Sequence, residues 1–110
     1  MIPFTEFQKI DIRVGTIKDV QNFPEARTPA YILTIDLGQE IGIKTSSAQL
    51  PANYSKKDLI DIQVLYLVNT PPRKIGSFIS EVLTLGLPDG KEHCILIKPE
   101  RAVPNGGRLY

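Results

Sequence analysis

The sequence predicts an all-β chain: a five-stranded Greek-key barrel with a short helix between its third and fourth strands and short extensions at both ends. Three observations lead there. Apolar and polar residues alternate in several short runs, the period of half-buried strands rather than helices. Turn-forming residues separate those runs. The segment with a helix start signal, Ser55-Lys56-Lys57-Asp58-Leu59-Ile60, falls after the third run and before the fourth. Three strands, a helix and two further strands make the OB-fold arrangement. From pattern alone, the alternative is another small barrel such as the SH3-like type.

The first strand is predicted over residues 10–20, with apolar side chains at Ile10, Ile12 and Val14. Gly15 then breaks the alternation and predicts a bulge or sharp bend. Residues 31–37 form a second strand and 41–47 a third, and the short stretch Gly38-Gln39-Glu40 predicts a tight hairpin between them. Ser55 caps a short helix over 56–60. Residues 62–68, Ile-Gln-Val-Leu-Tyr-Leu-Val, form the fourth strand. Residues 69–79 read as a long loop with Pro71-Pro72, residues 81–87 as the fifth strand, Asp89-Gly90 as a turn and residues 94–98 as an extra strand. The barrel core spans about 8–98 of a single domain of residues 1–110.

Composition narrows the function. Of 110 residues, 42% are apolar and 23% charged, which is ordinary globular usage with room for one core. No run approaches the ~18 apolar residues of a membrane helix, so no membrane insertion is expected. The N-terminus has no basic region followed by an apolar one, as a signal peptide would. One cysteine allows no disulfide within the chain, which fits a reducing, cytoplasmic setting. Cys94 and His93 are too few for a structural zinc site. Cys94 reads as a small buried hydrophobe and His93 as a strand-edge residue. Gly38 to Thr45 fails as a phosphate loop, because three residues separate the glycines and Ile43 precedes Lys44. There is no Gly-x-Ser-x-Gly elbow, and the carboxylates are scattered singly. No enzyme activity, metal or cofactor is expected. The net charge of +1 rules out a large nonspecific field, so a nucleic-acid site must be a local patch.

The segment Asn69 to Ser80 offers such a patch. It has two cations, Arg73 and Lys74, no acid, and an aromatic, Phe78, among small polar residues. It joins the fourth and fifth strands, beside the ligand face of OB-folds. Arg73 and Lys74 suit phosphates, and Phe78 suits a stacked base or an apolar peptide group. Asn69, Ser46, Ser47 and Ser80 are candidates for base edges or riboses. Phe23, Phe78 and Ile79 are candidates to line an apolar peptide groove. The alternative is a solvated loop whose Phe caps the barrel.

The chain ends add a second feature. Phe4, Phe7 and Ile10 are spaced by three, so one helical turn presents both rings on one face. Val103, Leu109 and Tyr110 follow the barrel. A small closed barrel has little interior left for them, which predicts a two-fold homodimer interface. The alternative is that both ends fold back on their own barrel.

Asp11-Ile12-Arg13-Val14-Gly15, Phe23-Pro24-Glu25-Ala26-Arg27, Ile35-Asp36-Leu37-Gly38 and Asn69…Pro72-Arg73-Lys74-Ile75…Ser80-Glu81-Val82-Leu83 resemble, in order, the tRNA-binding domain family. Within that family, Glu25 to Ala30, Ser46-Ser47-Ala48-Gln49, Asn69 to Arg73 and Pro104-Asn105-Gly106 are similar to the CsaA-type export chaperones. The resemblance implies an OB barrel, a homodimer without catalysis, tRNA binding, and binding of unfolded or exported preproteins with SecA. It implies RNA contact at Asn69, Lys74, Ser80 and Glu81, with Arg73 adjacent. Two residues depart from the family pattern. Ser77 stands where members carry Gly, and Ile79 stands where CsaA-like members tend to be polar or basic, which shifts this loop toward peptide. The alternative function is a stand-alone tRNA-binding cofactor without a chaperone role.

Overall fold

A computed structural model describes all 110 residues. One helical turn, α1 (Phe4–Phe7), precedes β1 (Ile12–Asn22), β2 (Tyr31–Asp36), a second turn α2 (Gly38–Ile41) and β3 (Ile43–Ala48). Then come α3 (Lys56–Leu59), β4 (Gln63–Leu67), the hairpin β5 (Arg73–Ile75) and β6 (Phe78–Ser80), β7 (Leu83–Thr84), β8 (Gly86–Pro88) and β9 (Cys94–Leu96). The main sheet is antiparallel in the order β3-β2-β1-β4-β7. β1 serves two neighbours: Ile12–Thr16 pair with β4, and Thr16–Asn22 pair with β2. The sheet nearly closes where the Thr45 carbonyl of β3 accepts from the amides of Glu81 (2.9 Å) and Val82 (3.2 Å), just before β7. This is the OB-like barrel that the sequence predicts.

Alternation in β2 sends Tyr31, Leu33 and Ile35 inward, and alternation in β4 sends Val64 and Tyr66 to meet them. Burying each such side chain contributes roughly 1.5–3 kcal/mol. α3 closes the barrel end with Leu59, which is fully buried. Its capping box is complete: the Ser55 amide donates to Asp58 Oδ2 (2.9 Å) and the Asp58 amide to Ser55 Oγ (3.3 Å).

Several expectations change. Gly15 is not a bulge. The register breaks instead between Ile17 and Asp19, within the pairing with β2 and just past Thr16, where β1 passes from β4 to β2. Gly15 is needed for close approach, since a Cβ there would press on Ile35 Cγ2 and Leu37 Cδ2. The expected hairpin between β2 and β3 forms, with Asp36 opposite Ile43, but its connection is the helical turn α2, with Gly38 and Gly42 both at φ +87°. The long loop 69–79 holds the β5–β6 hairpin, which pivots on Gly76 at φ +61°. The fifth strand divides into β7, paired with β4, and β8, paired with β9. Cys94 is half-buried and packs against the core cluster, with its Sγ filling the space beside Gly86.

Both chain ends are fastened to the barrel through the backbone. The tail lies along the first half of β1: Val14 N donates to Gly107 O (3.1 Å), Gly106 N to Val14 O (2.8 Å) and Leu109 N to Ile12 O (2.8 Å). Arg108 Nη2 reaches the carbonyls of Gln8 (2.8 Å) and Ile10 (3.3 Å) and so ties the N-terminal segment to the tail. Their apolar side chains stay outside. The Phe4 and Phe7 rings stack with centroids 6.3 Å apart, and Phe4, Leu109 and Tyr110 are exposed around a hollow of about 340 Å³.

Candidate nucleic-acid interface

The β1–β2 loop and the β5–β6 hairpin stand on either side of a cleft of about 410 Å³. Phe23, Arg27, Ser47, Gln49, Arg73 and Ile75 are among its walls. Phe23 is buried and meets the Phe78 ring edge-on, with centroids 5.3 Å apart. That contact is a packed aromatic pair rather than an open groove. Strand alternation then divides the hairpin. Arg73 pairs with Ser80 and Ile75 with Phe78 on one face, while Lys74 and Ile79 pair on the other. The sequence places Arg73 beside Lys74 and Phe78 beside Ile79, but the fold separates both pairs. Arg73 lines the cleft, whereas Lys74 and Ile79 point away from it.

Arg27, Arg73 and Lys74 are exposed and form no ion pair. Two free guanidinium groups, Arg27 and Arg73, therefore share the cleft with one carboxylate, Glu25, and the free ammonium of Lys74 lies on the outer face of the hairpin. Glu25 accepts from Ser77 Oγ (3.1 Å) and the Ser77 amide (3.4 Å) across the cleft.

The expected polar contacts belong to the barrel seam. Ser46 is fully buried, with its Oγ 2.8 Å from Thr84 Oγ1. Ser80 is buried too, and its Oγ accepts from the Ser47 amide (3.1 Å). Glu81 Oε1 accepts from Thr45 N (3.1 Å) and Thr45 Oγ1 (3.0 Å), and its other oxygen lies 4.0 Å from Lys44 Nζ. Asn69 uses both ends of its amide on the N-terminal segment, accepting from Asp11 N (3.0 Å) and donating to Lys9 O (2.7 Å). The side chains of Ser46, Ser80, Glu81 and Asn69 are thus bonded within the scaffold; Ser46 and Ser80 are buried, Glu81 is half-buried and Asn69 is exposed. Ser47 alone of the polar candidates lines the cleft. Arg27 was visible in sequence only as part of a family segment, and its place on the cleft wall with Arg73 is what singles it out.

Arg13 was also missed. Its guanidinium is largely buried, with Nε 2.6 Å from Asp11 Oδ1 and Nη1 3.1 Å from Glu40 and 3.0 Å from the Gly106 carbonyl. The Asp11 hydrogen bond raises its pKa further, so it stays charged. It holds β1, α2 and the tail together.

The sequence matches the family described as "Putative tRNA binding domain" over residues 12–108. The chain belongs to the tRNA-binding domain family. Among solved structures of this kind, it is similar to chaperone CsaA from Bacillus anthracis, with 41% identity and a TM-score of 0.93, covering 100% of this chain and 99% of that one. It is similar to the CsaA chaperone protein from Picrophilus torridus, with 47% identity and a TM-score of 0.92, covering both chains in full. It is 36% identical over 108 residues to the methionine–tRNA ligase of Thermococcus onnurineus. That match takes in 98% of this chain and only 14% of the ligase. No helix of the chain is long and apolar enough to cross a membrane.

Proposed function

We propose that this chain is a CsaA-like cytoplasmic homodimer that binds tRNA at the cleft, with Arg27 and Arg73 on phosphates inside it, Lys74 on the outer face of the hairpin and Ser47 on a ribose or base edge. The observation behind the reading is the set of three unpaired cations on the cleft and its hairpin in a chain of net charge +1. Arginine forks suit phosphate geometry, and a free guanidinium gives up no existing ion pair when it binds. The exposed end patch of Phe4, Leu109 and Tyr110 supports the homodimer.

A second activity, as a chaperone of preproteins for Sec-dependent export with SecA, is supported by the likeness to two proteins described as CsaA chaperones. It is also supported by exposed apolar side chains outside the cleft. Leu87 and Ile95 pair across β8 and β9, Leu83 lies on β7, and Ile79 is on the outer face of the hairpin. Purification at low salt separates the readings. RNA that co-purifies and is released by nuclease or high salt supports the first. Capture of a permanently unfolded protein that survives high salt supports the second. A stand-alone tRNA-binding cofactor shows only the first behaviour, and a preparation free of RNA with no tRNA affinity contradicts the primary reading.

A further inference from the structure

We infer that Glu25 is a positioning residue: its carboxylate staples the tip of the β5–β6 hairpin across the cleft and so fixes where Arg73 presents its guanidinium. The inference deepens the tRNA-binding reading and rests on it.

A two-stranded hairpin with strands this short has little stability of its own. The barrel holds its base through Thr45 Oγ1 donating to Ile79 O (2.9 Å) and Ser47 N donating to Ser80 Oγ (3.1 Å). Beyond that base, the polar ties between the tip and the barrel are the two hydrogen bonds from Ser77 to Glu25. The Phe23–Phe78 contact is the apolar counterpart beneath them. The backbone is shaped for the staple. Gly76 sits at φ +61°, which favours glycine, and a Cβ there would collide with the Glu25 carboxylate.

The charge of Glu25 makes the case sharper. A carboxylate in a cleft that takes phosphate repels the ligand, so for binding alone a neutral residue is better. An ionised acceptor makes stronger hydrogen bonds than a neutral one, and that strength is directed at Ser77. The carboxylate therefore serves the hairpin at some expense in electrostatic attraction. Once the tip is fixed, Arg73 meets a phosphate without first ordering its own strand.

Two substitutions separate charge from geometry. Glu25→Gln removes the charge and keeps an oxygen acceptor for the Ser77 amide and an amide donor for its hydroxyl. Glu25→Ala removes both charge and staple. Because the charge change is shared, the ratio between the two variants reports positioning. With unfractionated tRNA as probe, Glu25→Gln is expected to bind as well as the parent or slightly better. Glu25→Ala is expected to bind roughly fivefold more weakly than Glu25→Gln, the loss of about one net hydrogen bond. Ser77→Ala keeps the Glu25 charge and the amide bond, so it is compared with the parent and is expected to bind more weakly than the parent by less than that factor. In the free protein, the Ser77 amide exchanges faster in Glu25→Ala than in Glu25→Gln. Equal tRNA affinity and equal Ser77 exchange in the two variants overturn the staple. Arg73→Ala serves as the control. If it binds as the parent does, the cleft is not the tRNA site, and the Ser77 exchange comparison alone then decides whether the staple exists.

Discussion

Tyr66 is fully buried, and its hydroxyl has no hydrogen-bond partner. Burial pushes its pKa well up, so the phenol stays neutral at any physiological pH. A buried hydroxyl that gives up water for nothing costs about 1–3 kcal/mol, whereas the ring itself fills the barrel. Tyr66→Phe keeps the ring and removes the orphan. The variant is expected to be at least as stable as the parent, with a gain of about 1 kcal/mol in urea unfolding. A clear loss of stability would show that the hydroxyl has a partner, such as a buried water. At this scale the sequence was a better guide to burial than to hydrogen-bond partners. Ser46 and Ser80 look like ligand contacts because small hydroxyls near a barrel's ligand face often are. They are buried because hydroxyls spaced along two facing segments can also close a seam, and no local pattern distinguishes the two uses.

Elements with their own local chemistry were legible. α3 follows from Ser55 and Asp58, and β4 from the apolar run of β-branched and aromatic residues over 62–68. The hairpin β5–β6 was not, because three-residue strands in a Pro-rich stretch leave too few alternations to read. Its two faces matter most for function, so the pairing of Arg73 with Lys74 in sequence misled until the register was known. The break in β1 likewise depends on which strand lies opposite, which no single segment reveals. The cap of α3 makes a pH prediction. The Ser55 amide, and then the Ser55 hydroxyl, hold the Asp58 carboxylate below its usual pKa. A carboxylate depressed in the folded state stabilises above the unfolded pKa, near ~4, and loses that contribution as pH falls through the folded value. Asp58→Asn keeps an acceptor for the Ser55 amide and cannot titrate. Its melting temperature should therefore fall less steeply than the parent's below about pH 4. Identical acid limbs for the two proteins would remove Asp58 from the acid response.

For the whole molecule, near-neutral charge and an apolar end patch make separate demands. The tail is hydrogen-bonded through its backbone along β1, so trimming it would damage the barrel as well as any interface. Phe4→Ser with Leu109→Ser tests the homodimer more cleanly, because it leaves the backbone pairing in place. By light scattering, the parent should show the mass of two chains and the double variant the mass of one. A double variant that remains a dimer would move the interface to the other apolar surface, around Leu87 and Ile95.

The tRNA site is a statement about where charge is concentrated, and salt reads it directly. Each phosphate met by a cation contributes about −0.7 to −0.9 to the slope of log affinity against log salt. With Arg27, Arg73 and Lys74 engaged, the parent slope should be about −2 to −3 per subunit. The decisive measurement is tRNA affinity over a range of salt for the parent and for Arg27→Ala with Arg73→Ala. The account predicts that the double variant keeps its fold, binds at least about tenfold more weakly at low salt, and has a slope shallower by roughly 1.5. A double variant with the parent's affinity and slope would contradict it.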